Sequence, residues 1–174
     1  MPIAPAAILE ELASAFPARR SDPFAALVNS TMGDEPVWVA EAFADKTDWT
    51  KLDPDWLAQV PKGLSSALSF LSNEAVCFYI PAFIAADLEG RLSAADPVFA
   101  LPHGFAHGVG AARIHPRKPR TWGDHARDRW AALTPPQSRA IVHYLEWKIE
   151  QNGPGVDSAA QALADYWYQR AADA

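Results

Sequence analysis

The sequence lacks the motifs on which most enzyme classes depend. No Gly-x-Ser-x-Gly motif occurs, and no glycine-rich phosphate loop follows a predicted strand. The one cysteine, Cys77, cannot form an internal disulfide, and it has no cationic neighbour in sequence that would favour a thiolate. We interpret it as a small buried hydrophobe in a reducing compartment. The absence of these motifs argues against an enzyme, and we expect no cofactor.

Long apolar segments are also missing. The most apolar stretch, Ala75–Ala86, has twelve residues, whereas a membrane-spanning helix needs roughly 20. The N-terminal Met-Pro-Ile-Ala-Pro has no basic region leading into an apolar one, so it does not resemble a signal peptide. We therefore expect no membrane association and a cytoplasmic location.

Positive charge is scarce except in one short segment. The 174 residues carry a formal net charge of −6. Residues 1–112 contain 6 basic and 14 acidic side chains, whereas residues 113–129 contain 6 basic and 2 acidic ones. An acidic body argues against general nucleic-acid binding. The basic segment is the exception to this charge balance.

Helical patterns dominate what is present. Apolar residues recur at helical spacing along most of the chain, and no strand pattern or internal repeat appears. Thr134-Pro135-Pro136 is a typical helix start. Ser21-Asp22-Pro23 likewise predicts a helix, with Phe24, Leu27 and Val28 facing inward. The length suits one domain. We predict an all-α fold over residues 1–174, a single compact helical domain of about six to eight helices.

We predict that the Ala75–Ala86 run forms a helix at the centre of this fold. A helix without a polar face is a buried helix, so we expect the others to pack around it. Pro81 falls in the middle of the run and predicts either a kink or two short helices that meet there. Gly90 suits the position just beyond the helix end. In residues 97–122 no helical period persists, which predicts a long basic loop that carries histidines.

The central segment also carries a resemblance. Residues Leu68-Ser-Phe-Leu-Ser-Asn-Glu-Ala75, running on to Tyr79-Ile-Pro-Ala-Phe83, contain the pattern S-F-L-x-x-E-A-x-x-x-Y-x-P-A. This pattern resembles an uncharacterised bacterial domain-of-unknown-function family, whose upstream tryptophan and downstream helix start correspond to Trp49 and Leu133-Thr-Pro-Pro-Gln137. The resemblance covers most of residues 5–150 and implies a helical fold without assigned catalytic residues. The basic loop and the last helix look like local elaborations.

Four histidines are the candidates for metal ligation: His103, His107, His115 and His125. Two histidines four residues apart, as at 103 and 107, share one face of a helix and occur so in zinc sites. Neighbouring proline and glycine residues disfavour a helix there, and no acidic residue lies between Asp96 and Asp124. We prefer solvated loop histidines and keep a metal site as the alternative.

The basic stretch and the tryptophans are the candidates for binding. The stretch contains Arg113, Arg117, Lys118 and Arg120, and Trp122 follows it. Such a segment either steers an acidic protein partner or binds phosphates while the indole stacks on a base, unless it is only a solvated loop. Five tryptophans on predicted helices are expected in the core: Trp38, Trp56, Trp130, Trp147 and Trp167. Trp49 and Trp122 occupy loop positions, where an exposed aromatic suits an interface.

The sequence thus favours a protein of unknown function that acts as a non-enzymatic, cytoplasmic protein-binding module. An immunity-like or regulator-like role fits this class, with the partner contacting Arg113, Arg117, Lys118, Arg120, Trp122 and Trp49. The alternatives are a metal-dependent enzyme that uses the loop histidines, and nucleic-acid or phosphate binding through the basic loop. The pattern leaves the partner and the oligomeric state open.

Overall fold

The structure is a computed structural model that describes residues 3–92, 94 and 96–172. In these residues helices are joined by turns, and β-structure is limited to isolated bridges. Six of the helices have seven or more residues, so the predicted all-α class is confirmed. No described helix combines the length and the apolar character that a membrane span requires. Contacts divide the chain into two compact units, a middle unit (residues 16–97) and a terminal unit (residues 1–15 with 98–174).

The middle unit is built around one buried helix. Its helices are α2 (Asp34–Phe43), α3 (Pro54–Leu57), α4 (Ala67–Phe70) and α5 (Asn73–Leu88), with a 3-10 helix at Trp49–Lys51. Helix α5 packs against α3 and the 3-10 helix, while α2 packs against α4. The rings of Phe43 on α2 and Tyr79 on α5 lie 4.7 Å apart and are both fully buried. The apolar run therefore forms the core of this unit, and the prediction that it is a buried helix is confirmed. The helices of the terminal unit contact α8 instead, so the run is not the centre for every helix.

Helix α5 begins and ends at residues that the sequence marks. The Ser72 hydroxyl accepts a hydrogen bond from the backbone N–H of Ala75 at 3.1 Å, which caps the first turn. The helix continues without a break through Pro81, which excludes two separate helices. After Leu88, the N–H of Arg91 bonds to the carbonyl of Ala86 and Gly90 has φ +70°, an arrangement that favours glycine.

Two predictions for this unit are wrong. Residues 22–28 form turns rather than a helix, and the Phe24 side chain is 95% exposed. Part of the reason is local, because the Asp22 carboxylate accepts the N–H of Phe24 at 2.8 Å in an Asx turn. The carbonyl of Leu27 then accepts the N–H of Ser72 at 2.8 Å instead of bonding within a helix. Cys77 is partly buried, whereas the sequence predicted a fully buried side chain.

The terminal unit packs around a second long helix. Its helices are α1 (Pro5–Ala15), α6 (Pro97–Ala100, starting at the boundary), α7 (Trp122–Trp130), α8 (Pro135–Glu150) and α9 (Val156–Ala162), which continues through a π-helical turn (Leu163–Trp167) into α10 (Tyr168–Ala172). Helix α8 contacts α1, α9 and α10. Trp130 and Trp167 are fully buried with ring centroids 5.8 Å apart, so the prediction of core packing is confirmed for both.

Candidate functional site

The segment predicted as a loop is anchored at its first half. It begins with α6, and Val98, Leu101 and Phe105 are buried. The ring of Phe105 stacks on that of Tyr166 with centroids 4.5 Å apart. The backbone N–H of Phe105 bonds to the carbonyl of Pro102 at 2.9 Å, which closes a turn. Apolar burial therefore attaches this half of the segment to the terminal unit.

The basic half forms a hairpin-like loop. An antiparallel bridge joins Arg113 to Thr121. Inside it, the N–H of Ile114 donates to the carbonyl of Arg120 at 3.1 Å, and outside it, the N–H of Trp122 donates to the carbonyl of Ala112 at 3.0 Å. These bonds bring the two ends of the basic stretch together, so that its cations lie on one short loop.

Arg113, Arg117, Lys118 and Arg120, which we call the basic surface, are all exposed. Arg120 pairs with Asp128 at 2.7 Å, and an exposed pair of this kind contributes at most about 1 kcal/mol. A guanidinium nitrogen of Arg113 reaches only the carbonyl of Pro116, at 3.4 Å. Among the described residues, Arg117 and Lys118 have no carboxylate partner. Most of the positive charge of this loop therefore faces solvent without neutralisation.

A capping box fixes the loop to α7. The Thr121 hydroxyl accepts the N–H of Asp124 at 3.1 Å, and the Asp124 carboxylate accepts the N–H of Thr121 at 2.9 Å. These bonds hold the pKa of Asp124 below its usual value, mainly through the backbone N–H of Thr121. Gly104, which has φ +90°, lies close to Trp122, the first residue of α7. A Cβ atom on residue 104 would lie 2.5 Å from the carbonyl oxygen of Trp122, so only glycine fits at this position. The start of α7 is thus held from two sides.

Trp122 is half-buried and contacts two of the candidate histidines. Its ring meets those of His103 and His125 edge-on, with centroid separations of 5.1 Å and 5.8 Å. Burial lowers the pKa of His125, and the nearby positive charges of Arg129, Arg120 and His103 lower it further. The imidazole of His125 therefore favours its neutral form more than a solvated histidine does.

The other two histidines do not complete a metal site. His107 and His115 are exposed, and neither makes a ring contact with the Trp122 group. In the part of the chain that the structure describes, no group of three or more His, Cys, Asp or Glu side chains is placed to hold a metal ion. The four candidate ligands therefore divide into one pair, His103 and His125, whose rings contact Trp122, and two residues that make no such contact.

Trp49 does not lie at an exposed interface position. Its side chain is only 6% exposed, and its indole N–H donates to the carbonyl of Pro17 at 3.0 Å. The indole packs inward because the 3-10 helix that carries it contacts α5. The interpretation of Trp49 as an exposed partner-binding residue is corrected on this ground.

Two tryptophans that the sequence analysis placed in the core line a cavity instead. Trp38 on α2 and Trp56 on α3 are partly buried, in the same range of exposure as Trp122. They border an open cavity of about 440 Å³ in the middle unit, together with Glu41, Ala42 and residues 59–63. We call this cavity the tryptophan pocket. The only sequence signal for it was the composition of residues 34–45, which contain four acidic residues and no basic one.

One family model matches this chain, over residues 34–171, and its description is "Family of unknown function (DUF6714)". The matched range starts later than the residues 5–150 expected from the resemblance, and it includes the basic loop and the last helix, which the sequence analysis treated as elaborations. Comparisons with curated proteins and with solved structures gave no match. Since the match covers well over half of the sequence, the chain belongs to the family of unknown function DUF6714.

Proposed function

We propose that this chain is a non-enzymatic, cytoplasmic protein-binding module that uses the basic surface to bind an acidic partner. The observation that carries the proposal is the exposed charge of Arg117 and Lys118, which no carboxylate of the described residues neutralises. Unneutralised charge at the tip of a short loop raises the association rate with a surface of opposite charge. Trp122, half-buried at the base of that loop, supplies an aromatic edge near the same surface.

An immunity-like or regulator-like role is the form of protein binding that this surface suits. Such proteins act by occupying a partner, so they need complementary charge rather than a reacting group. The loop offers complementary charge, and its two clustered histidines adjoin an indole rather than a third ligand. The support is therefore for recognition, with the partner supplying a cluster of Asp and Glu residues.

Affinity capture with a charge-reversed variant tests the proposal. The bait is the full chain, as wild type, as the double variant Arg117→Glu/Lys118→Glu, and as the control Arg19→Glu/Arg139→Glu. The control makes the same change in net charge at exposed arginines outside the loop. We expect one acidic partner to be retained by the wild type and the control, and its affinity to fall at least tenfold in the loop variant. The affinity should also fall with increasing salt.

Three outcomes overturn this function. One is a partner that the loop variant retains as well as the control does. Another is the absence of any partner that discriminates between the two variants. The third is tight binding of a 20-nucleotide single strand of DNA with a steep, linear loss of log affinity against log salt, because that behaviour belongs to a phosphate-binding loop.

A further inference from the structure

The tryptophan pocket differs from the basic surface in both its lining and its charge. Helix α2 contributes Trp38 and Glu41, helix α3 contributes Trp56, and the following turn closes one side. A second open cavity, of about 360 Å³, is also lined by Trp38, together with Asp34, Glu35 and several apolar residues. Trp38 therefore borders two cavities, and each has a carboxylate in its lining.

Both indole rings already have a cation near them. Lys62 Nζ lies 4.0 Å from the ring centroid of Trp38, and Lys46 Nζ lies 5.3 Å from that of Trp56. The face of an indole attracts an ammonium group through the ring quadrupole, and the attraction acts within about 6 Å. Lys62 has no carboxylate partner among the described residues, so the ring is its visible partner. The position of the Lys62 ammonium therefore indicates that the pocket prefers a cation.

The surroundings of the rings strengthen this preference. Residues 34–45, which form α2 and the turn after it, carry four acidic side chains and no basic one. Glu41 lines the pocket itself and is exposed, so its charge faces the open space beside the rings. Asp45 is already paired with Lys46 at 2.6 Å, so Glu41 is the carboxylate that acts in the pocket, where Lys62 is the one lining cation among the described residues. Once a ligand displaces Lys62, Glu41 and two aromatic rings together favour a cation whose charge is spread over apolar groups, because such a cation loses little hydration.

The backbone of the closing turn sets Lys62 in place. Lys62 has φ +48° and is followed by Gly63 at φ +83° and Ser65 at φ +55°. Left-handed conformations are uncommon for residues other than glycine, asparagine and aspartate. Hydrogen bonds hold this turn, from the N–H of Gly63 to the carbonyl of Gln59 at 2.6 Å and from the Ser65 hydroxyl to the carbonyl of Ala58. The ammonium of Lys62 is consequently presented to Trp38 by a turn of unusual conformation.

The second ring of the pocket, that of Trp56, is held in place by the core of the middle unit. Phe43, which is fully buried, lies 5.0 Å from the ring of Trp56. One side of Trp56 therefore rests on the core while the ring borders the pocket. A preorganised ring is a better cation receptor than a mobile one, because no ordering cost accompanies binding.

We propose that the pocket formed by Trp38, Glu41 and Trp56 binds an alkylammonium group, which displaces the Lys62 ammonium from the face of Trp38. Glu41 supplies the opposing charge and the indoles supply the apolar, electron-rich walls. The ligand is a methylated or free ammonium, carried either by a small quaternary amine or by a lysine side chain of a peptide. This site is independent of the basic surface, which attracts the opposite charge.

Titration of tryptophan fluorescence with tetramethylammonium chloride tests the site. Wild type is compared with Lys62→Met, which removes the competing charge, and with Lys51→Met, an exposed lysine of the same unit outside the pocket. We expect Lys62→Met to bind roughly two- to fivefold more tightly than wild type, which matches the strength of one exposed cation–π contact. Lys51→Met should bind like wild type. Equal affinity of Lys62→Met and wild type would overturn the proposal.

Two further comparisons separate cation binding from hydrophobic binding. We expect Glu41→Gln to bind two- to fivefold more weakly and Trp38→Ala to lose saturable binding, with far-UV circular dichroism confirming that both variants are folded. 3,3-Dimethylbutan-1-ol, the uncharged isostere of choline, should bind at least tenfold more weakly than choline. Equal binding of the isostere contradicts the proposal, as does unchanged binding by Trp38→Ala.

A last titration tests whether the ammonium group belongs to a peptide or to a small amine. A peptide containing trimethyllysine is titrated beside choline into Lys62→Met. Binding of the peptide at least tenfold tighter than choline supports a peptide lysine as the ligand, and equal binding supports a small amine. Failure of both probes with Lys62→Met rejects the site. None of these results depends on the acidic partner of the basic surface, so the two proposals fail separately.

Discussion

In the basic surface Arg117 and Lys118 extend into solvent without a carboxylate partner among the described residues, whereas in the tryptophan pocket Lys62 lies 4.0 Å from the centroid of an indole ring. The two regions also differ in the charge around them. Residues 113–129 have 6 basic and 2 acidic side chains, while residues 34–45 have four acidic and no basic ones. The same chain therefore displays one surface suited to an anion and one suited to a cation.

The comparison shows that indoles of similar burial can have different neighbours, because Trp122, Trp38 and Trp56 are all partly buried. The basic loop has its aromatic residue half-buried against two histidines, so charge dominates its surface. In the pocket the two partly buried rings border an open cavity, which the exposed Glu41 also lines. Long-range attraction follows from the first arrangement and short-range, shape-dependent recognition from the second.

The largest effect is expected from breaking the core beneath the pocket. Ala82 on α5 is only 5% exposed, and α5 packs against α3, which carries Trp56. Ala82→Asp would bury an unpaired charge, so the free energy of unfolding should fall by about 3 kcal/mol or more. Urea unfolding followed by tryptophan fluorescence measures it. Ala26→Asp, at an exposed position outside the helices, is the control and should change stability by less than about 0.5 kcal/mol. Equal midpoints for Ala82→Asp and wild type would show that this face of α5 is not core.

A pair of tryptophan variants sharpens the distinction between structural and binding rings. Trp49 is buried and bonded to the carbonyl of Pro17, whereas Trp38 is only partly buried and borders a cavity. Trp49→Ala should lower the free energy of unfolding by about 3–5 kcal/mol, as large-to-small core substitutions do. Trp38→Ala should cost less than about half as much while it removes ammonium binding. Thermal melts and titrations on both variants give the comparison. The assignment is wrong if Trp38→Ala is the less stable protein.

The helices were largely predictable because their signals are local. Ser72 and Thr134 cap the helices that their positions suggested, and Gly90 takes the left-handed conformation beyond α5. Capping and periodicity involve residues a few positions apart, which the sequence shows directly. The missing helix after Pro23 is the counterexample, since a hydrogen bond to Ser72, far along the chain, competes for the same backbone.

The candidate sites were predictable only in part, and the tryptophans explain why. Trp130 and Trp167 are buried as expected, but Trp49 was expected at a surface and is buried, while Trp38 and Trp56 were expected in the core and border a cavity. An indole suits either position, so its residue type carries little information on burial. Exposure depends on which long-range contacts form. The charge of the basic surface needed no such contact and was visible in the composition.

A smaller effect is expected at the base of the basic loop. Thr121→Ala removes the capping hydroxyl of α7, and Thr134→Ala removes the equivalent hydroxyl of α8. Each substitution should lower the free energy of unfolding by about 1 kcal/mol. Only Thr121 lies at the base of the basic loop, where its backbone joins the bridge to Arg113 and its hydroxyl bonds to Asp124. Loss of that hydroxyl loosens the base of the loop, so Thr121→Ala should weaken binding of the acidic partner more than Thr134→Ala does. Urea unfolding and binding assays on the matched pair test this. Equal losses of affinity in both variants would mean that loop closure does not contribute to recognition.

The smallest effect is a pH dependence confined to one of the two regions. The pKa of His125 lies below its usual value, first because of burial and then because of Arg129, Arg120 and His103. Its pKa in the unfolded chain is about 6.5, so between the folded and unfolded values the unfolded state binds more protons. Stability should therefore rise with pH through this window and level off above about 6.5. Replacing the imidazole in His125→Gln should flatten the rise, whereas His115→Gln, at an exposed position, should leave it intact. Unfolding midpoints measured from pH 5 to pH 8 test the slope, and an unchanged slope in His125→Gln would assign the pH dependence to other groups.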